Sequence, residues 1–296
     1  MRTRVGQALD RPTTTDHGGV GTVALEAGRE AAIEVLAKYL PEQPDGGTVL
    51  SGRHLSKSFG GLKAVRDVSL DVSARAFVGL IGPNGAGKST LFNLLNGFTP
   101  PDKGEVILFD QDVTELQPWD RARLGISRTF QANHIDVNLT TFDNLLAGAY
   151  LRIGGGLLRS VLRTNHADEE RARQVVRAVA RLLDLEPLLE ITARALDFGA
   201  QRRIEIGRSL MSGPRVLLLD EPTAGVDAHE ALEIVALVKR LQVDLGLAVL
   251  LIEHYVQAVL ANSDTIYALV QGSVVAAGSP AVIAADPSVR SSYLGE

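Results

Sequence analysis

The chain has no cysteine among its 296 residues, so neither a disulfide framework nor a thiolate metal site can be built from it. It also lacks a long apolar run. The longest candidate, Leu232 to Ile252, is interrupted by Glu233, Lys239, Arg240 and Asp244, well inside the 18 or so apolar residues that a spanning helix needs. Met1 to Asp16 is polar and threonine-rich, without the charged and apolar regions of a secretory signal, so none is expected. An excess of positive charge is missing too. A formal net charge of −5 is the opposite of the basic face of a nucleic-acid binder, and no nucleic-acid partner is expected. If the protein works at a membrane, it does so through other subunits.

What is present is a phosphate-binding pattern. Gly82-Pro83-Asn84-Gly85-Ala86-Gly87-Lys88-Ser89-Thr90 reads G-x-x-x-x-G-K-[ST] and follows the apolar run Phe77-Val78-Gly79-Leu80-Ile81, so strand, glycine-rich loop and helix start come in order. The glycines let backbone N–H groups turn inward, the helix opening at Lys88 adds its positive end, and the lysine ammonium reaches the outer phosphates. Ser89 can then hold a magnesium ion. The plain alternative is a glycine-rich turn before an ordinary helix.

A second carboxylate site lies far downstream. Val216-Leu217-Leu218-Leu219 has the pattern of a strand buried on both faces of a parallel sheet, and it ends in Asp220-Glu221. Ligands in such sheets bind at the carboxyl ends of strands. Asp220 is therefore placed to support the metal, and Glu221 to orient and deprotonate an attacking water. A helix cap and a solvated loop charge are the structural alternatives for these two.

The order of motifs resembles that of ABC-type ATPase subunits. After the loop come Arg128-Thr129-Phe130-Gln131, Leu196-Asp197-Phe198-Gly199-Ala200-Gln201-Arg202-Arg203, Leu219-Asp220-Glu221-Pro222-Thr223, Ala224-Gly225-Val226-Asp227 and Glu253-His254. Within that family the chain is similar to the ATP-binding subunits of branched-chain amino acid importers. Phe59-Gly60-Gly61-Leu62-Lys63-Ala64-Val65, the aromatic at Phe198, Arg202-Arg203-Ile204-Glu205-Ile206 and the terminal Tyr293-Leu294-Gly295-Glu296 carry that likeness. Transporters of urea and short amides use similar subunits.

The resemblance implies an α/β fold: a P-loop NTPase core with a mainly parallel sheet, an antiparallel β subdomain and an inserted helical lobe at about 132–206. It implies ATP and Mg²⁺ as cofactors, with Gly82 to Thr90 as the cradle and Ser89, Gln131 and Asp220 at the metal. Phe59 would stack on adenine, unless it is a core aromatic. Glu221 would be the general base, His254 would sense the γ-phosphate, and Gln131 would reach the metal or the water when the lobes close. Asp197, Gly199 and Asp227 would act across a head-to-tail dimer. The implied partners are integral membrane permease subunits, a second ATPase subunit (identical or a paralogue) and, indirectly, an extracytoplasmic solute-binding protein. The implied place is the cytoplasmic face of the cell membrane.

Some residues depart from the family pattern. Asp197 stands where a small hydroxyl or alanine is usual, Ala200 replaces a common Gln, Glu or Gly, and Tyr255 follows His254 in place of Asp. Asp136-Val137 replaces an aromatic-proline pair. The acid at Asp197 keeps open a regulatory protein with weak turnover, or one inactive ATP site in a pair. A soluble ABC ATPase acting on DNA or ribosomes is the other rival, but neither a long coiled-coil insertion nor a second ATPase domain is visible.

The ATPase domain is expected over 49–296, and residues 1–48 are read as a flexible extension with a possible short helix. Leu25, Ile33, Leu36 and Leu40 can stripe one face of that helix, which ends before Pro41. Whether it docks or stays transient is open from sequence. Strands are expected at Val49 to Leu55, Val65 to Val72, Glu105 to Phe109, Ala248 to Ile252 and Thr265 to Val270. Helical spacing marks Ala167 to Leu185 and Ala228 to Val243, and Gly154-Gly155-Gly156 marks a turn.

Overall fold

Short runs of uninterrupted apolar residues are stable as strands when a sheet is covered on both faces. The computed structural model, which describes residues 18–129, 135–149 and 166–294, uses them in that way. Strands β3 (Phe77–Ile81), β7 (Val216–Asp220) and β8 (Ala248–Ile252) are buried at every position. With β6 (Ile126–Arg128), β9 (Thr265–Val270) and β10 (Ser273–Gly278) they form a six-stranded sheet of order β10-β9-β3-β8-β7-β6. All neighbours are parallel except β10, which pairs antiparallel with β9. That edge strand was not foreseen. Its two-residue turn, Gln271 and Gly272, has positive φ at both positions (49° and 83°), the geometry that joins twisted strands in a tight hairpin.

Alternate residues of the buried strands feed two cores, because successive side chains point to opposite faces. Phe77, Ile81, Leu217, Leu219, Val249 and Leu251 belong to one cluster, while Val78, Leu80, Leu218 and Leu250 belong to the other. The second cluster is closed by an antiparallel sheet of order β2-β1-β4-β5, made from β1 (Thr48–Phe59), β2 (Leu62–Ser73), β4 (Lys103–Leu108) and β5 (Gln111–Asp112). Helices α2 (Lys88–Asn96) and α3 (Pro118–Leu124) lie on this side.

The first cluster is closed by a helical lobe: α4 (Thr141–Gly148), α5 (His166–Leu182) and α6 (Phe198–Met211). The core helix α7 (Ala228–Leu245) and α8 (Val256–Asn262) pack on the same face, and α9 (Pro280–Ala285) and α10 (Pro287–Leu294) end the fold. Asp227 caps α7 by accepting from Glu230 N–H at 2.9 Å, and a left-handed Gly246 ends it. The turn at Gly154-Gly155-Gly156 lies outside the described residues.

Before all of this comes α1 (Gly18–Tyr39). Ala32 and Leu36 are buried in the same cluster as Val175, Val179 and Leu183 of the lobe, with Ile33 and Leu40 packed alongside. Arg29 pairs with Asp244 of α7, the Tyr39 hydroxyl donates to the Met211 carbonyl, and Arg181 of α5 donates to the Gly28 carbonyl at 3.5 Å. The helix that the sequence leaves open between transient and docked is therefore docked, against both the lobe and the core. The helix is 22 residues long. Among the described residues no helix is long and apolar enough to cross a membrane.

Candidate functional site

The sheet order decides the geometry. Because β3, β8 and β7 are neighbours and parallel, their carboxyl ends bring Gly82, Glu253 and Glu221 to one edge, the usual place for a ligand in such a sheet. The Gly82 to Thr90 loop leaves β3 and opens α2. Two of its glycines are required by close approach. A Cβ on Gly87 would stand 2.2 Å from the Ala64 carbonyl oxygen, with φ at 101°, and one on Gly82 would stand 2.2 Å from the Leu269 carbonyl oxygen. The contact with Ala64 also seats the loop against β2, beside the β1–β2 hairpin. Phe59, at that hairpin's tip, is half exposed, with the Lys57 ammonium 5.7 Å from its ring centre. It is not a core aromatic, and its free face can stack on a flat base.

Lys88 is buried and curls back into the loop, donating to the Gly82 carbonyl at 2.7 Å and the Pro83 carbonyl at 3.1 Å. Burial lowers its pKa, while Glu221 and Asp220 oppose that shift by favouring the charged form. Asp220 is 2% exposed. Burial raises its pKa, and the hydrogen bond and charge of Arg128, 2.7 Å from Oδ2, pull it back toward the ionised form. Its other oxygen, Oδ1, is buried with no hydrogen-bond partner. A buried acceptor of that kind costs free energy unless something engages it, and a cation bound between Asp220 and the loop fits. No group of three or more His, Asp or Glu able to hold a metal occurs among the described residues. Magnesium needs none, since it is commonly held by one or two protein oxygens together with substrate phosphates.

Glu221 stands at the end of β7 in a left-handed backbone conformation (φ 50°), a strained state that is held where the surroundings fix it. Here its N–H donates to the Ile252 carbonyl at 3.0 Å. Its carboxylate Oε1 lies 2.7 Å from Nε2 of His254, which follows β8. A carboxylate and an imidazole in direct contact at the mouth of the loop can hold and orient one proton between them.

The helix-terminal residues are placed differently. Asp197 is the N-cap of α6, accepting from the Ala200 N–H at 2.7 Å. A carboxylate is a good cap, as is the small hydroxyl expected at this position, while the alanine also expected there is a poor one. The departure from the family pattern therefore preserves the helix start and changes its charge. Gly199 is buried, and the place of a Cβ there is taken by the Glu230 carboxylate, whose Oε1 would stand 1.6 Å away. Gln131 lies outside the described residues.

Three residues at this edge stand inside the quoted motifs, but sequence reading assigned them no role. Glu253, 1% exposed, accepts from the Thr223 N–H at 2.9 Å and the His254 N–H at 3.1 Å, so it fixes the loops after β7 and β8. Burial pushes its pKa up. Arg202 of α6 donates to the Ala224 carbonyl at 2.9 Å and pairs with Glu205 at 2.8 Å, tying the signature helix to the loop beyond Glu221. Arg128 joins Asp220 to α2. The signal for each is a charged residue beside an apolar strand or helix face, which marks burial without saying which partner it meets.

The sequence profile of the ABC transporter family matches residues 65–224. The high-affinity branched-chain amino acid transport ATP-binding protein LivG of Escherichia coli K12 is 39% identical over 251 residues, 84% of this chain and 98% of LivG. The lipopolysaccharide export system ATP-binding protein LptB of the same organism is 37% identical over 247 residues, 83% of this chain and 97% of LptB. Among solved structures, the ADP conformation of MJ1267, an ATP-binding cassette of an ABC transporter, superimposes with a TM-score of 0.74 at 33% identity, covering 84% of this chain and all of that cassette. The chain therefore belongs to the ABC transporter family, as an ATP-binding and ATP-hydrolysing subunit homologous to those of branched-chain amino acid transporters.

Proposed function

We propose that the protein powers an importer of branched-chain amino acids or a similar small solute, hydrolysing ATP at the cytoplasmic face of the membrane while separate permease subunits carry the solute. The observation that carries the chemical part is the Glu221–His254 contact of 2.7 Å beside Lys88 and Asp220. The loop N–H groups and Lys88 bind the phosphates, and Phe59 stacks on adenine. Ser89, Asp220 and Gln131 would hold Mg²⁺, which would offset the phosphate charge. Glu221 takes the proton of the attacking water, and His254 orients that carboxylate and contacts the γ-phosphate. Asp197, Gly199 and Asp227 complete the site from a second ATPase subunit. ATP then favours the closed pair because it touches both halves, and hydrolysis removes that preference.

The importer reading is supported by the likeness to LivG, and the comparable identity to LptB favours a second reading, export of a lipid-linked molecule. The subunit expressed with its membrane partners in vesicles separates them. The importer reading predicts ATP-dependent solute movement toward the side that carries the ATPase. Movement away from that side, or extraction of a lipid, contradicts it.

A further inference from the structure

Arg128 ends β6 with only 7% of its side chain exposed. A guanidinium is a rigid planar fork of N–H donors, so its position is set by several partners at once. Here Nη2 lies 2.7 Å from Oδ2 of Asp220, while Nη1 donates to Oδ1 of Asn93 at 2.6 Å. Its carbon centre is 5.6 Å from the Phe92 ring centre and 5.9 Å from that of Phe98, within cation–π range of both. Phe92 and Asn93 lie on α2, the helix opened by the phosphate loop, and Phe98 follows its end.

The same side chain lines a groove of about 440 Å³ with Phe98, Pro118, Trp119 and Ala122, between the end of α2, α3 and β6. Phe98 and Trp119 are 50% and 56% exposed there. One residue thus touches the carboxylate of the hydrolysis site, the phosphate-loop helix and an open aromatic surface.

We propose that Arg128 is a positioning residue that holds Asp220 with one oxygen free for the metal and relays the state of that carboxylate to the groove of Phe98 and Trp119. Oδ2 of Asp220 is taken by the arginine and Oδ1 has no partner. A cation that engages Oδ1 recentres the carboxylate. The fork can follow it only by shifting against Asn93 and the two rings, so the groove changes shape when the site fills. A lysine would supply the charge without the plane or the second arm.

This inference rests on the ATPase reading, so nucleotide binding is measured separately from the relay. Trp119 is the chain's single tryptophan, and its fluorescence reports on the groove alone. The full chain is titrated with a non-hydrolysable ATP analogue, with Mg²⁺ and with EDTA, while calorimetry follows binding. The expected result is a clear change in Trp119 emission with Mg²⁺ and little or none in EDTA.

Asn93→Ala should bind the analogue within about threefold of the parent affinity yet lose most of that change, whereas Arg128→Lys, which also loosens Asp220, should lose the change together with part of the Mg²⁺ dependence of binding. Asn93→Ala keeps the Arg128–Asp220 pair, so it tests the relay even if the arginine variant fails to fold. Equal emission changes in parent and Asn93→Ala, or a response indifferent to Mg²⁺, overturn the relay and leave the ATPase reading standing. Absence of analogue binding in the parent overturns both.

Discussion

Leu36→Ala removes a fully buried side chain from α1, which precedes every motif of the ATPase domain. Leu36 sits in the cluster that also holds Val179 and Leu183 of the lobe and Val235 and Val238 of α7, so lobe and core both lose contacts when it is shortened. Truncating a buried leucine costs about 2–5 kcal/mol, and more when the cavity cannot collapse. For a large domain, at roughly 2 °C per kcal/mol, the melting temperature should fall by about 4–10 °C. Thermal and urea unfolding followed by circular dichroism supply the test, with Val243→Ala, 64% exposed on α7, as a control that should move little. A fall of less than about 1 °C for Leu36→Ala would refute the reasoning, because it would mean that α1 leaves its seat before the domain unfolds.

Lys88→Ala removes a cation held in the phosphate loop and should weaken ATP binding about 10- to 100-fold, the range of a charge-assisted hydrogen bond; equal affinities by isothermal titration would contradict the assignment. Asp197→Ser keeps an acceptor for the Ala200 N–H, so the melting temperature should hold. It also removes a carboxylate that cannot donate to a phosphate while ionised, so ATP-driven self-association and turnover should both rise. No rise in light scattering or phosphate release would place Asp197 outside the phosphate contact.

The parts of the fold that sequence made legible are those governed by local rules. Fully apolar strands such as Val216 to Leu219 and Ala248 to Ile252 announce a covered parallel sheet, and Gly82 to Thr90 announces the loop, because both patterns leave few other physical options. The pairing of β7 with β8 is not local. Nothing between Asp220 and His254 states that their strands are adjacent, so the contact of Glu221 with His254 is given only by the sheet. Arg128 shows the same limit from the other side, since a charge near an apolar strand does not name the buried carboxylate it meets. The docking of α1 was undecided because a stripe of Ile33, Leu36 and Leu40 fits a free helix and a seated one equally. Only the partner surfaces on α5 and α7 separate the two. Asp197 read as a damaged phosphate contact, yet its first physical role is to cap α6.

The central claim is that Glu221 takes the proton from the attacking water, and steady-state hydrolysis by Glu221→Gln alongside ATP affinity tests it most directly. Glutamine keeps the shape and removes the base. Turnover should fall by about two to four orders of magnitude with ATP affinity unchanged, and ATP-bound dimers should accumulate. Turnover equal to that of the parent protein would contradict the account.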